Sequence, residues 1–584
     1  MIKYKGSITI ATILVLTIVL FAGLGALLRW SMSGYRSSVN RATRTQMLYA
    51  AESGLQYALA GFNSLPAAEV HPKQEDYNYI SNQFVIYAIS NFPSNIKLES
   101  FTVISNRTFY GPIKEGGYKG YQAYVQEIKV HCGVCDKNNT NNLSSLEQII
   151  QSIFISVFQF GVFYGHDDVE FHNGPPMNFT GPVHCNNNIY LFPNETLSFY
   201  TTSNAHVTAG GDFFHYSKGN PNYTRSGTVR FKDDDNIFRN MLKNGTWLDS
   251  RDPDWELESL NRWDGNVLSK DHDVKKLAIP IPGAESNTHS IVEMPSASDS
   301  NTVALTKYGN KAALVISGAT VYAQSGLITN PVQTAIGNIT NMPWIRLGRE
   351  FINKRQGYMI HPLDINIRKF ADWLTNGSGT AAAEFIDPDS EREGIMYVQR
   401  DNVDGEAVRL YNGAELPPSL PNNTGMTIAT ARPVYIKGNF NTVNNRPSSI
   451  ICDAFTALST AWKDSRNQTR NKNTAHNTTM RVAVMTGHTP TIEGLSGSSG
   501  GVHNLPRFLE NWTGKEFRYT GSLVCCWDSI YEDKYISELM PFSYYYSPPT
   551  RLWGYDTKFS TPNGTPPGTP NIHAFEATRW SRVQ

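Results

Sequence analysis

The sequence predicts an α+β, mainly β protein. One long N-terminal helix, transmembrane and then amphipathic, precedes a large β-rich body built as a sandwich or a β-solenoid. Three observations predict this. Ser7 to Leu28 carries no charge, and about 22 residues of helix span roughly 33 Å, enough to cross a bilayer core. After it, Leu48, Ala51, Leu55 and Leu59 recur at three- and four-residue steps, the spacing of one helix face. Beyond residue 63, brief apolar runs alternate with Gly, Asn and Pro, the punctuation of short strands and turns.

The elements follow in order. Lys3 and Lys5 precede the apolar run, which favours a cytoplasmic N-terminus. The helix continues through RWSMSGYRSSVNRATRTQMLYAAESGLQYALAGF, a stretch without Pro, until Gly61, Asn63 and Pro66 stop it. Tyr77 to Phe92 reads as a second helix, whereas KLESFTVISNRTFY and YQAYVQEIKV alternate as strands. LEQIIQSIFISVFQF reads as a buried element, followed by recurring short runs such as NFTGPVHCNNNIYL and TLSFYTTSNAHVTAGGDFF. No strict period is visible, so sandwich and solenoid both stay open. DPDWELESLNRWD starts a helix, with Asp252 as cap and Pro253 in the first turn. KAALVISGATVYAQ and ARPVYIKGNFNTV are strands, CDAFTALSTAWKDS a helix with Ala454, Leu458 and Trp462 four apart, GVHNLPRFLENW a short helix, and KEFRYTGSLVCCWDSIY a long strand. From Tyr544 a Pro-, Gly- and Thr-rich tail is expected to wrap the surface.

The first 62 residues resemble a known family. Lys5-Gly6-Ser7 before an apolar run looks like a class III signal peptide, cut by prepilin peptidase between Gly6 and Ser7. Tyr49-Ala50-Ala51-Glu52-Ser53-Gly54-Leu55 resembles the "AAEAG" signature ending the first helix of PilX-like type IV minor pilins. The fifth residue after the cut is Ala11, where most pilins carry a glutamate, so the likeness is to a rare or tip-located subunit. Gly181-Pro182-Val183-His184, Trp263-Asp264-Gly265-Asn266-Val267, Gly438-Asn439-Phe440-Asn441-Thr442, Asn504-to-Trp512 and Pro562-to-Pro570 resemble motifs of large exported pilin-like bacterial proteins to which no activity is attached.

The resemblance implies a leader at 1–6, a pilin-like helix at 7–62 with its membrane span at 7–28, and other pilin-like subunits, prepilin peptidase and the membrane as partners. It implies a bacterial inner-membrane location, with the body in the periplasm or at the cell surface or pilus. The body divides into a small mixed region, 63–150, a β-rich domain, 151–345, and a second one with short helices, 346–584. The rival reading is a single-pass envelope adhesin or carbohydrate-binding protein outside any filament.

Composition narrows the chemistry. Charged residues are 17 % of the chain and the formal net charge is zero, so no nucleic-acid partner is expected. No cofactor and no enzyme activity are expected. Gly497-Ser498-Ser499-Gly500-Gly501 matches a nucleophile-elbow pattern, but it lies in a Gly/Ser loop and lacks the required strand and helix. His166, Asp168, Glu170 and His172 share strand parity, as metal ligands or as an ordinary solvent face. Asp136, Asn138, Thr140 and Glu147 occupy the first, third, fifth and twelfth positions of a candidate calcium loop, with Asn141 where Gly is usual. Of the six cysteines, Cys132 and Cys135 form a candidate disulfide in an exported chain, and pairings with Cys185, Cys452, Cys525 or Cys526 stay open.

Overall fold

The structure is a computed structural model that describes every residue except 1–4, 66–70, 115–116, 203, 224, 282–287, 402, 421–423, 469–472, 494–497, 499, 537, 539–540, 562 and 584. A helix of 59 residues, α1 (Lys5–Asn63), leads into α2 (Gln74–Asn91). Three long strands follow, β1 (Ile96–Pro112), β2 (Gln122–Asp136) and β3 (Asn139–Ser156). They pair antiparallel in sequence order, and the C-terminal strand Asn571–Val583 closes the sheet beside β3. The tail from Tyr544 therefore does not wrap the surface, because its last residues have a strand edge to pair with.

The body is a parallel solenoid with three faces, which decides between the two expected architectures. Its first face is a 12-stranded sheet. Strands Val162–Tyr164, Val183–Cys185, Val207–Ala209 and Val267–Leu268 stack in parallel on it. The second face carries Val169–Phe171, Ile189–Leu191 and Phe213–Phe214, and the third Met177–Thr180, Leu197–Tyr200 and Val229–Lys232. The chain then crosses to the far end, resumes at Leu314–Ser317, and coils back until Leu523–Asp528 pairs with Val162–Tyr164, the very first strand. The regions 151–345 and 346–584 thus share one sheet.

One register carries Leu314, Met396, Ile428, Ile450, Val484, Leu523, Val162, Val183, Val207 and Val267 into the solenoid core. Each side chain contributes about 1.5–3 kcal/mol on burial. Their neighbours Val315, Tyr397, Ile451, Met485, Val524 and Phe163 face outward and are buried too, under Leu277, Ile279, Ile291, Val292 and the ends of the antiparallel sheet. A parallel sheet covered on both faces calls for continuous apolar runs, which is why LVIS, SSIIC and LVCCW do not alternate. Coil corners touch backbone to backbone. A Cβ at Gly425 would lie 1.3 Å from the Pro447 carbonyl oxygen, a position only glycine fills.

Several local expectations give way to this stacking. Ala454 to Leu458 is not helical: Phe455–Leu458 is a strand between Val434–Lys437 and Pro506–Phe508. In a run this short, four-residue spacing does not separate helix from buried strand. The expected helix at 501–512 is a single 3-10 turn, Val502–Asn504, before Pro506–Phe508. The expected long strand breaks at Ser522 into Glu516–Gly521 and Leu523–Asp528 on two different faces. Helix Trp255–Trp263 forms as expected, with Asp254 at its N-cap instead of Asp252.

Candidate functional site

The candidate functional element is α1, and its two halves differ. From Thr9 to Ala42 every side chain is exposed; Phe21 is 74 % and Trp30 78 % exposed. A large apolar surface open to solvent marks a membrane or partner contact, and this helix is long and apolar enough to cross a membrane. The Thr17 hydroxyl donates to the carbonyls of Ile13 (2.7 Å) and Leu14 (2.9 Å), so it is satisfied within the helix. Arg29, Arg36, Arg41 and Arg44 follow the apolar stretch, and the first acidic residue of the chain is Glu52. The predicted cleavage point, Gly6–Ser7, falls in the first turn of α1, and Met1 to Tyr4 lie outside the described residues.

The lower half of α1 docks on the antiparallel sheet through Met47, Ala50, Ala51, Leu55, Ala58 and Phe62, which pack with Ile80 and Phe84 of α2 and with Ile128, Val130 and Cys132 of β2. The residues resembling the minor-pilin signature acquire a physical role here. Ala50, Ala51 and Gly54 are small where helix and sheet approach, and a Cβ at Gly54 would lie 2.5 Å from the Cys132 Sγ. Glu52 is exposed. Phe62 stacks on Phe575 of the C-terminal strand at 5.3 Å, tying α1 to the far end of the chain.

The other candidate residues do not assemble into sites. Cys132 and Cys135 both lie on β2, with free thiols. Three residues of extended strand separate their Cα atoms by about 10 Å, beyond the ~7 Å that a disulfide bridges, so this pairing is corrected. Burial pushes the Cys132 thiol up to about 12. Asp136 and Asn138 sit at the tight turn joining β2 to β3, where the Asp136 carboxylate accepts from the Asn138 N–H (2.9 Å). Thr140 and Glu147 continue along β3, and Glu147 pairs instead with Lys129 Nζ at 2.9 Å. An extended strand carries Glu147 some 25 Å from the turn; a hairpin stands where a calcium loop was expected.

His166, Asp168, Glu170 and His172 also separate. His166 lies 3.7 Å from Asp528, Asp168 pairs with Lys218 at 2.9 Å, and the His172 ring meets that of His503 at 4.9 Å. Burial pushes Glu170 up to about 7 and His172 down to about 4. No group of three His, Cys, Asp or Glu among the described residues is arranged to hold a metal. Ser499 of the nucleophile-elbow match lies outside the described residues.

The sequence reading missed a buried polar seam on the outer side of the seven-stranded sheet that includes Tyr358–Asn366, Glu406–Tyr411, Val434–Lys437, Phe455–Leu458 and Pro506–Phe508. Asp364, Arg409, Tyr435, Thr456 and Arg507 stand in register there. Arg409 bonds Asp364 and Asp464, and Glu532, fully buried, accepts from Asn353 (3.0 Å) and Tyr435 and lies 3.4 Å from Arg507. These pairings clamp the segment around Glu532 over the solenoid. Their only sequence signal is polar residues inside apolar strands, since the partners lie up to 179 residues apart.

No family model matches the chain, and no curated protein matches it. Among solved structures, the competence-associated pilin ComZ from Thermus thermophilus aligns over 93 % of this chain and 97 % of its own, at 10 % identity and a TM-score of 0.25. At that score the superposition is too loose to carry a conclusion about fold or function.

Proposed function

We propose that this chain is a membrane-anchored, pilin-like structural subunit, with a leader removed between Gly6 and Ser7 and a large solenoid body held outside the cytoplasm. The observation that supports it is the division of one unbroken helix. Its upper half is apolar and uncovered, while its lower half is docked by small residues onto an antiparallel sheet. A simple anchor needs no rigid continuation of about 50 Å beyond the membrane. A helix that must pack among other subunits does. The work assigned to the protein is assembly and display, with no catalytic step.

Mass spectrometry of the native protein tests this reading. A mature N-terminus at Ser7 is expected, together with co-purification of other pilin-like subunits from detergent. An intact Met1, or a start near Leu27, refutes it and leaves a plain anchor or a secreted protein.

A further inference from the structure

A pocket on the flank of the solenoid, far in sequence from α1, has the chemistry of a ligand site. It opens beside the hairpin Leu242–Lys243 and Thr246–Trp247, next to Phe238–Asn240, which pairs antiparallel with Val229–Lys232 at the edge of the third face. Its volume is about 710 Å³, within the roughly 300–1,000 Å³ typical of small-molecule sites. Tyr223 and Trp247 supply aromatic walls, and Asn194, Thr228 and Asn240 supply neutral hydrogen-bonding groups. Arg225 is the one charged residue among the described residues lining it.

Arg225 is held but not satisfied. Its Nη1 donates to the His172 carbonyl at 3.3 Å, while its Nε is buried and without a partner. The guanidinium lies 5.5 Å from the rings of both Phe192 and Tyr223, which fixes its plane. Behind it stand the rings of His172 and His503, which burial holds neutral, and the Arg551 guanidinium. Arg225 lines the pocket, and the planar fork of guanidinium N–H donors suits a carboxylate. Aromatic walls with amide and hydroxyl groups suit a sugar ring, which offers an apolar C–H face and a rim of hydroxyls.

We propose that this pocket binds a carboxylate-bearing sugar unit of an acidic polysaccharide, with Arg225 on the carboxylate and Tyr223 and Trp247 against the ring. The site stands independently of the assembly reading, because a chain that is never processed or assembled still presents it.

The test is titration calorimetry of the full chain in detergent with trigalacturonate and with neutral galactotriose. The expected result is binding of the uronate about tenfold or more tighter than the neutral sugar, weakening as salt is raised. Arg225→Gln should erase that preference. Tyr223→Ala, at a position 48 % exposed where folding is not at stake, should weaken uronate binding severalfold. No uronate binding, equal binding of the two sugars, or an unchanged Tyr223→Ala variant overturns the proposal. Displacement of the uronate by equimolar inorganic sulfate also overturns it, since the pocket would then be a site for small anions and not for sugars.

Discussion

Gly54→Ala isolates the contact on which the docked half of α1 depends. The new methyl carbon would lie 2.5 Å from the Cys132 Sγ and 3.0 Å from both the Cys132 Cβ and the Phe84 Cζ. Ordinary carbon contacts begin near 3.5 Å, so helix and sheet must separate by several tenths of an ångström or more. Two effects oppose each other. Alanine in place of a mid-helix glycine favours the helix by about 1 kcal/mol, and overpacking a filled contact costs about 1–3 kcal/mol. Overpacking should win in the native background, leaving α1 less tightly docked by about 1 kcal/mol. Cys132→Ala removes the sulfur and with it the shortest contact, so Gly54→Ala should then be neutral or stabilising. The measurement is amide exchange over Met47–Phe62 in the full chain, in a double-variant cycle. A coupling of at least about 0.5 kcal/mol is expected. If Gly54→Ala increases protection equally in both backgrounds, only helix propensity is acting, and the close approach of α1 to β2 is refuted.

Glu532→Gln keeps the shape but removes the charge facing Arg507 at 3.4 Å. Stranding a buried guanidinium costs about 3–5 kcal/mol, so the denaturant midpoint should fall clearly, and Arg507→Met in the same chain should recover much of the loss. His184 is held neutral between Thr208 (2.8 Å) and Asn186 (3.0 Å), and burial lowers its pKa to about 4 from an unfolded value of 6.5. The unfolded chain takes up a proton that the native state refuses. Its contribution is therefore complete above pH 6.5 and is lost as the pH falls towards 4. The loss is about 3 kcal/mol over that window. In pH-dependent unfolding, His184→Gln should flatten that part of the curve, and an unchanged slope would refute this role.

Much of the outline was legible in the sequence for reasons that are local. An uncharged run of helical length, the stripe Ala51–Leu55 and the stops at Gly61 and Asn63 set α1 almost to the residue. β2 alternates over part of its length because one side of the sheet faces α1 and α2, so period two was visible there, whereas β1 buries only Ile96 and Val103. The signal weakened in the solenoid. Its strands are mostly three to six residues long and several are buried on both sides, so neither alternation nor length separates them from helical segments, and Phe455–Leu458 was misread for that reason.

What tertiary structure alone decided is the placing of distant segments against one another. Nothing near Val162 announces that Leu523 lies beside it, or that Asn571–Val583 completes a sheet begun at Ile96. Those pairings arise because an open strand edge of unpaired backbone groups binds whichever compatible strand returns to it. The same reason scattered the candidate sites. Spacing along the chain suggested that Asp136 and Glu147 share a loop and that Cys132 and Cys135 share a bond, but extended strand carried the members of each pair apart. The groups that do converge, Glu532 with Asn353 and Arg507, or Arg225 and Tyr223 of one loop with Trp247 of another, come from separate coils or loops. Composition and periodicity determine which segments must be buried; only the register between coils decides which side chains are buried together.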